Sequence, residues 1–378
     1  MCHNLWCIFV CAHTFTLNEV LVSMNKAKKT TIQDLAKYAN VSVGTIDRVI
    51  HNRGKVAPDK KKKIEDAIEY LNFNPNFLAS TLALSRQFVI CSLLPEARSS
   101  QKYWSLPKKG IEKVARDYKD FGVLVDSYEY SLFDESSFVE QAKTIIDKSP
   151  DGVILAPLFE KESKSLLQEL DKRSIPYVFI DANIPTLKPL SYIGPDSLRS
   201  GFIGGKLLSS ITNAEDELLI VNMVKGMDNS SHEGVLEKGF YDFFNSLGND
   251  SLKRINSLNI HSTDYEEVSR ELVDFYGKSP NIKGIFITNS KAHLISKFHK
   301  QHNLDIKVIG FDLIEENITE MKEGGIMFLI SQSPVFQGTR AVQTLFDFFV
   351  NKKNPAMVQY VPIDIIIKEN VDFYMNIH

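Results

Sequence analysis

TTIQDLAKYANVSVGTIDRVIHNRGKV, residues 30–56, decides how the rest of the chain is read. Ile32, Leu35, Ala36 and Ala39 recur at the three- and four-residue spacing of one buried helical face. Thr31 is the predicted N-cap, with Asp34 three residues on as an acidic variant of the capping box. ANVS then breaks the pattern. Ser42 opens a second helix whose inward residues are Ile46, Val49 and Ile50. Two helices joined by so tight a turn form a helix-turn-helix. A third helix is predicted from Pro58 to about Leu71, with proline at a first helical position, where its missing N–H costs nothing. Ile64, Ala67, Ile68 and Leu71 give it an apolar face, so three short helices share one small core.

Charge separates this module from the body of the chain. The chain has 378 residues, room for two or three domains, and a net charge of −3. Residues 26–86 hold 12 Lys/Arg against 6 Asp/Glu, and the remainder holds 32 against 41. A basic module precedes an acidic body, which points to a polyanion partner for the front end alone. KKKK at 60–63 reads as a solvated face from which one or two lysines reach a backbone phosphate. Three of the four cysteines, Cys2, Cys7 and Cys11, lie near the start and only Cys91 lies in the body, so no disulfide framework is expected. The early Cys/His run matches no common zinc spacing, and no metal or cofactor is expected. The apolar LWCIFVCA lacks a preceding Lys or Arg, which argues against an export signal. Residues 1–25 are read as an extension without a fold, with Met24 as the expected start. No apolar run reaches the length of about 18 residues that a membrane span needs, and a reducing cytoplasm is the expected compartment.

The stretch TIQDLAKYANVSVGTIDRVIHNRGKVAPDKKKKIEDAIEYLNFNPN resembles the DNA-binding head of the lactose-repressor (LacI-type) family. The likeness is carried by T-x-x-D-L-A, by A-x-V-S-x-x-T-x-x-R-V and by the L-N-F-x-P-N exit. It implies a second helix lying in the major groove of a near-palindromic, double-stranded operator. Val43, Gly44 and Asp47 take the base-reading positions. Thr45, Arg48 and His51 face phosphate or the groove edge, Thr31 and Ser42 donate to phosphates, and Asn76 at the exit joins the contact set. Gly44 costs the helix about 1 kcal/mol relative to alanine and permits closer approach. Asp47 either accepts from the exocyclic amine of cytosine or pairs with a neighbouring cation.

Residues 26–75 are thus the expected DNA-binding domain and 76–87 a hinge. Leu78, Ala79, Leu82 and Ala83 form a short stripe that needs a partner to stay helical. The resemblance makes Leu82 the residue that wedges between base steps in the minor groove.

From Phe88 onward strand-like runs alternate with amphipathic stretches, as in FVICSLL, DGVILAP, IPYVFID, ELLIVNMV, GIFITN, IKVIGFD, GIMFLISQ and VQYVPIDIII (358–367). That order implies parallel sheets with right-handed crossovers, and so many strands imply two lobes. The motifs DGVILAP, YIGPDSLRSG, KGF, KVIGFD and GGIMFLISQSPVFQG resemble the type I periplasmic-binding-protein fold that follows the head in LacI-type regulators. The expected fold is therefore a small all-α head plus an α/β body of two parallel sheets with flanking helices. Lobe one is placed at about 88–190 and 332–358, lobe two at about 191–331 and 359–378.

Ligands of open parallel sheets sit beyond the C-terminal strand ends. That rule and the resemblance nominate Tyr103, Trp104, Tyr128, Asp181, His232, Glu233, Asn289, Asp312 and Gln332 as effector contacts. Carboxylates and amides gripping hydroxyls beside an aromatic ring suit a carbohydrate. Asp196 reads instead as a helix cap or hinge. The family's sugar-gripping arginine, three residues before the Gly of the GF pair, is replaced by Leu236. The expected function is a homodimeric, effector-controlled transcription factor. An exported solute-binding protein would have no use for the head. An enzyme lacks support: there is no phosphate loop or nucleophile elbow, and GFIGG at 201–205 has the wrong glycine spacing.

Overall fold

The computed structural model describes residues 32–50, 56–71, 87–98, 102–223, 230–248, 254–279 and 281–375. They fall into two compact units, divided between Leu84 and Ser85. In the first unit, helices α1 (Ile32–Ala39), α2 (Val43–Ile50) and α3 (Pro58–Tyr70) enclose a core of Leu35, Ala36, Ala39, Ile46, Ile64 and Ala67. The turn between α1 and α2 works in three residues. Asn40 takes a left-handed conformation, φ 52°, which asparagine tolerates. Val41 then donates its N–H back to the Ala36 carbonyl at 3.0 Å, closing α1 in a Schellman-type turn. Ser42 caps α2, its Oγ accepting from the Thr45 N–H at 3.2 Å. The side chain of Ile50, expected to face inward, lies outside the described residues.

The second unit is a two-lobed α/β body. Lobe one begins with β1 (Phe88–Pro95), α4 (Ser105–Tyr118), β2 (Val123–Tyr130), α5 (Glu135–Lys148), β3 (Gly152–Leu155), α6 (Glu160–Lys172), β4 (Tyr177–Ile180) and β5 (Ser191–Gly194). Lobe two continues with α7 (Ser197–Ser210), β6 (Glu217–Met223), α8 (Ser230–Leu247), β7 (Ile255–Ile260), α9 (Tyr265–Lys278), β8 (Ile282–Ile287), α10 (Ala292–Gln301), β9 (Lys307–Phe311), α11 (Glu315–Lys322) and β10 (Phe328–Ser331). Helix α12 (Pro334–Phe349) and β11 (Val358–Tyr360) return to lobe one, and β12 (Asp364–Ile366) and α13 (Val371–Met375) to lobe two.

The sheet orders are β11-β5-β4-β3-β1-β2 and β12-β10-β9-β8-β6-β7. Among the described residues every pairing is parallel except β10 with β12. Parallel sheets and a single strand over 358–367 are the expectation from sequence. The chain instead crosses between lobes at Val361–Ile363, giving a short strand to each sheet, and the returning β12 meets β10 antiparallel. Strand β5 lies wholly in the first sheet, so the first crossing follows Gly194, a few residues beyond the boundary expected at about 190.

Each lobe carries one close helix crossing built on two small residues. A Cβ on Gly110 would stand 2.0 Å from the Val335 carbonyl oxygen, and one on Gly338 2.0 Å from that of Pro107, where α4 meets α12. In lobe two, Gly201 and Gly239 play the same parts against the carbonyls of Leu236 and Leu198, at 1.9 and 2.1 Å. The single body cysteine, Cys91, is buried and free, and burial pushes its thiol up to about 12.

Candidate functional site

The head offers one polar face. Ser42, Val43, Gly44 and Arg48 are exposed, and Thr45 and Asp47 are half-buried. Val43 is a large apolar residue left 43% exposed at the start of α2, a position at which folding of the head gains nothing from it. Ser42 Oγ and Thr45 Oγ1 lie 2.9 Å apart, so both hydroxyls are fixed at the helix start, beside backbone N–H groups suited to an anion. A Cβ on Gly44 would meet only Ser42 Oγ, at 4.0 Å, so nothing within the head requires glycine there. Lys60, Lys61, Lys62 and Lys63 are all exposed. Thr31, His51, Asn76 and Leu82 lie outside the described residues.

The body brings its polar residues to the facing C-terminal ends of the two sheets. Asp181 follows β4 and Asp312 follows β9, equivalent places in the two sheets. Both are left-handed, φ 67° and 68°, a conformation that turns each carboxylate off the strand end. A buried amide holds each turn. In lobe one, Gln337 Oε1 accepts from the Asp181 N–H at 2.8 Å, and its Nε2 donates to the Gln332 carbonyl at 2.9 Å. In lobe two, Asn317 Nδ2 lies 2.8, 3.2 and 3.0 Å from the carbonyls of Phe311, Asp312 and Ser290, and Asn317 Oδ1 accepts from the His293 N–H. Gln337 and Asn317 are both fully buried.

Tyr103 and Trp104 enter from a 3-10 turn (Lys102–Trp104) after β1, their rings edge to face at 5.1 Å. The Tyr103 hydroxyl donates to Asp181 Oδ1 at 2.5 Å. Burial raises this phenol well above its usual range, and the charges of Asp181 and Asp312 add to the effect. Burial, then Asp181, likewise holds the Asp312 carboxyl well above the carboxylate range, while Gln332 hydrogen-bonds to it. The two carboxylates therefore act on each other across the lobes. A second link is Lys102 of lobe one, 2.5 Å from Glu316 Oε1 of lobe two. Lys291 is buried nearby; burial lowers its ammonium, opposed by Glu316 and Asp312.

Of the expected effector residues, Tyr103, Trp104, Asp181, Asp312 and Gln332 are brought to this cleft. Asn289 lies at its edge, but its amide already donates to the Met223 carbonyl at 3.1 Å and accepts from the Lys291 N–H. Tyr128 is a correction. Strand alternation puts it on the face of β2 shared with Asp126 and Tyr130, where it packs on the lobe-one core and reaches Lys148 beneath α5. His232 and Glu233 lie in α8, but their side chains are outside the described residues. Leu236 packs in the core with Leu208, Phe240 and Phe286. Its neighbour Glu237 reaches the strand ends instead: Asn222 Nδ2 donates to Glu237 Oε2 at 3.2 Å and to Asn259 Oδ1 at 3.1 Å, and Thr288 Oγ1 donates to Asn222 Oδ1. Asp196 caps α7, accepting from the Arg199 N–H.

Sequence reasoning missed Lys102, Lys291, Glu316, Asn317, Gln337 and the Asn222 network. Only Asn222 left a signal, as an amide inside the apolar run ELLIVNM. Among the described residues no group of three or more His, Cys, Asp or Glu is placed to hold a metal ion, and no helix is long and apolar enough to cross a membrane.

A helix-turn-helix head followed by a two-lobed, parallel-sheet α/β body with a polar cleft defines the class of protein. Comparison with known proteins agrees. Residues 31–76 match the model of bacterial regulatory proteins of the lacI family, and residues 91–353 match the periplasmic binding protein domain. A structure from Bacteroides fragilis described as a LacI transcriptional regulator is 32% identical; the match covers 76% of this chain and 99% of that one, with a TM-score of 0.70. The chain belongs to the lacI family of bacterial regulatory proteins. The HTH-type transcriptional regulator DegA of Bacillus subtilis is 32% identical over 184 residues, 48% of this chain and about half (52%) of DegA's length. The ribose operon repressor of Lactococcus lactis is 23% identical over 350 residues, 90% of this chain and 98% of that repressor.

Proposed function

We propose that this protein is a sequence-specific transcriptional regulator that works as a homodimer and whose operator affinity is set by a small molecule, a sugar or sugar derivative, held between the two lobes of the body. The observation that carries the reading is the joining, in one chain, of a helix-turn-helix with an exposed Ser42–Arg48 face and a body whose two sheets aim paired carboxylates at one cleft. Two heads would read two half-sites of a near-palindromic operator, with α2 in the major groove. The lobes are linked by three chain crossings, so a ligand that favours one lobe angle shifts a pre-existing equilibrium. Coupling of this kind is reciprocal: an effector that weakens DNA binding binds less well when DNA is present. The likeness to a ribose operon repressor supports a sugar-type effector and repression. Export as a solute-binding protein is disfavoured, because residues 31–76 match a DNA-binding family and such a head has no role outside the cell.

Arg48→Ala tests the groove assignment. The expected result is an operator affinity reduced more than tenfold in a gel-shift titration. An unchanged midpoint would show that α2 does not face DNA.

A further inference from the structure

Asp181 is tied to the lobe crossings as well as to the cleft. Its carboxylate takes the Tyr103 hydroxyl, while its backbone meets the joints between the lobes. The Asp181 N–H is shared between Gln337 Oε1 at 2.8 Å and the Ile193 carbonyl at 3.3 Å, and the Asp181 carbonyl accepts from Tyr192 Oη at 3.1 Å. From there hydrogen bonds run through all three crossings and return. Tyr192 Oη also reaches the Pro195 carbonyl, 2.9 Å away in the first crossing. The Val361 N–H donates to the Gly194 carbonyl at 3.0 Å, joining the third crossing to the first. Ser333 Oγ, in the second crossing, is shared between the Pro362 carbonyl at 3.2 Å and Asp364 Oδ2 at 3.3 Å, joining the second to the third. Gln337 Nε2 closes the ring by donating to the Gln332 carbonyl at 2.9 Å.

Tyr192 is the joint in this ring that has two settings. A phenol has one hydrogen to give, and two carbonyls stand within its reach. It serves one of them fully only at the expense of the other. Pro195 is buried and, lacking an N–H, is hydrogen-bonded through its carbonyl alone. The Tyr192 ring is itself buried in the lobe-one core, which fixes where the hydroxyl can stand. Gly194 fits this contact: a Cβ there would lie 2.3 Å from the Tyr192 hydroxyl oxygen, so glycine is what lets the phenol lie across the crossing.

Resting on the reading of the body as an effector domain whose lobe angle responds to the cleft, we propose that Tyr192 is the positioning residue that links the cleft to the crossings. Its hydroxyl hydrogen goes to the Asp181 carbonyl at one lobe angle and to the Pro195 carbonyl at another. A change at the Asp181 carboxylate turns the left-handed peptide that carries this carbonyl. The exchange of partner then reaches the first crossing and, through the Val361 N–H, the third. Cleft and lobe angle both bias one two-setting element, which is what coupling between separate sites requires.

The test is hydrogen–deuterium exchange of the full chain, read by mass spectrometry in peptides that carry the Asp181 and Val361 amides. It needs neither DNA nor effector. Tyr192→Phe keeps the buried ring and removes the hydroxyl. The expected result is exchange at both amides faster by about fivefold or more, with the head unchanged. Tyr103→Phe removes the cleft-side bond to Asp181 and should also speed exchange at Val361, an effect that disappears when Tyr192 is already phenylalanine. A Tyr192 that only packs would leave Val361 at the wild-type rate in Tyr192→Phe. A Tyr103→Phe effect that is absent, or equal in both backgrounds, would place the link elsewhere. Any of these outcomes overturns the proposal. If Tyr192→Phe does not fold, Gly194→Ala decides: it keeps the phenol but pushes it off the crossing, and the Asp181 amide should exchange faster, whereas a wild-type rate there overturns the proposal. Operator selection is scored separately. DNA preference without this exchange pattern removes the Tyr192 link alone, and the pattern without DNA preference removes the regulator reading alone.

Discussion

Gly44 shows how a single residue separates folding from binding. It sits in the first turn of α2, exposed, with room for a methyl group on every side. Helix propensity alone favours alanine there by about 1 kcal/mol. Gly44→Ala is therefore expected to stabilise the head by about 0.5–1 kcal/mol in denaturant titration and, if the backbone approaches DNA closely, to weaken operator binding several-fold. Equal operator affinity in the two proteins would remove the close-approach role. Residue identity told much about the head because its fixed positions are all local: a cap, a left-handed turn and an inward face lie within 20 residues. In the cleft it told less. Asp181 and Asp312 were legible because strand ends are marked by composition. Lys102, Glu316 and Lys291 were not, because their meeting depends on two sheets facing each other, and a lone Lys or Glu on a helix looks solvated.

At the scale of elements, the body repeats one device. Strand ends carry a left-handed aspartate, a buried amide on a later helix fixes it, and a pair of glycines lets two helices cross closely behind. Gly239→Ala would drive a methyl group to 2.1 Å from the Leu198 carbonyl. It is expected to lower stability by about 1–3 kcal/mol, read as a drop in melting temperature. Gly234→Ala on the same helix meets nothing within 4 Å and serves as the control, expected to be neutral or stabilising.

Helix α10 gives a pH dependence. His299 is buried, with Nε2 2.7 Å from the Tyr276 hydroxyl; burial, then the charge of His302, lowers it to about 4. Its folded value lies below the ordinary value of about 6.5, so its contribution is fully present above that pH and is lost as pH falls toward 4. The contribution is about 3 kcal/mol. The body should lose melting temperature between pH 6.5 and 4, and His299→Gln should flatten that slope. A slope unchanged by the substitution would place the titrating group elsewhere.

For the whole molecule, the alternation of strands and helices was enough to give two parallel-sheet lobes, since each run is short, apolar and separated by an amphipathic stretch. The crossings were harder. VQYVPIDIII reads as one strand-like run with the lobe boundary set at about 358–359, and the tertiary path places that crossing at Val361–Ile363. Such a path lets lobe angle respond to a ligand while each sheet stays intact. In the proposed function, operator choice and ligand choice are two ends of one equilibrium. The most direct measurement is selection of fragments by the purified full chain from a genomic DNA pool at physiological salt, with and without candidate sugars and sugar derivatives. The predicted result is enrichment of a small set of near-palindromic sites, with affinity changed by a ligand that also stabilises the body. Retention of all fragments alike, with no preference over random DNA in either condition, would contradict it.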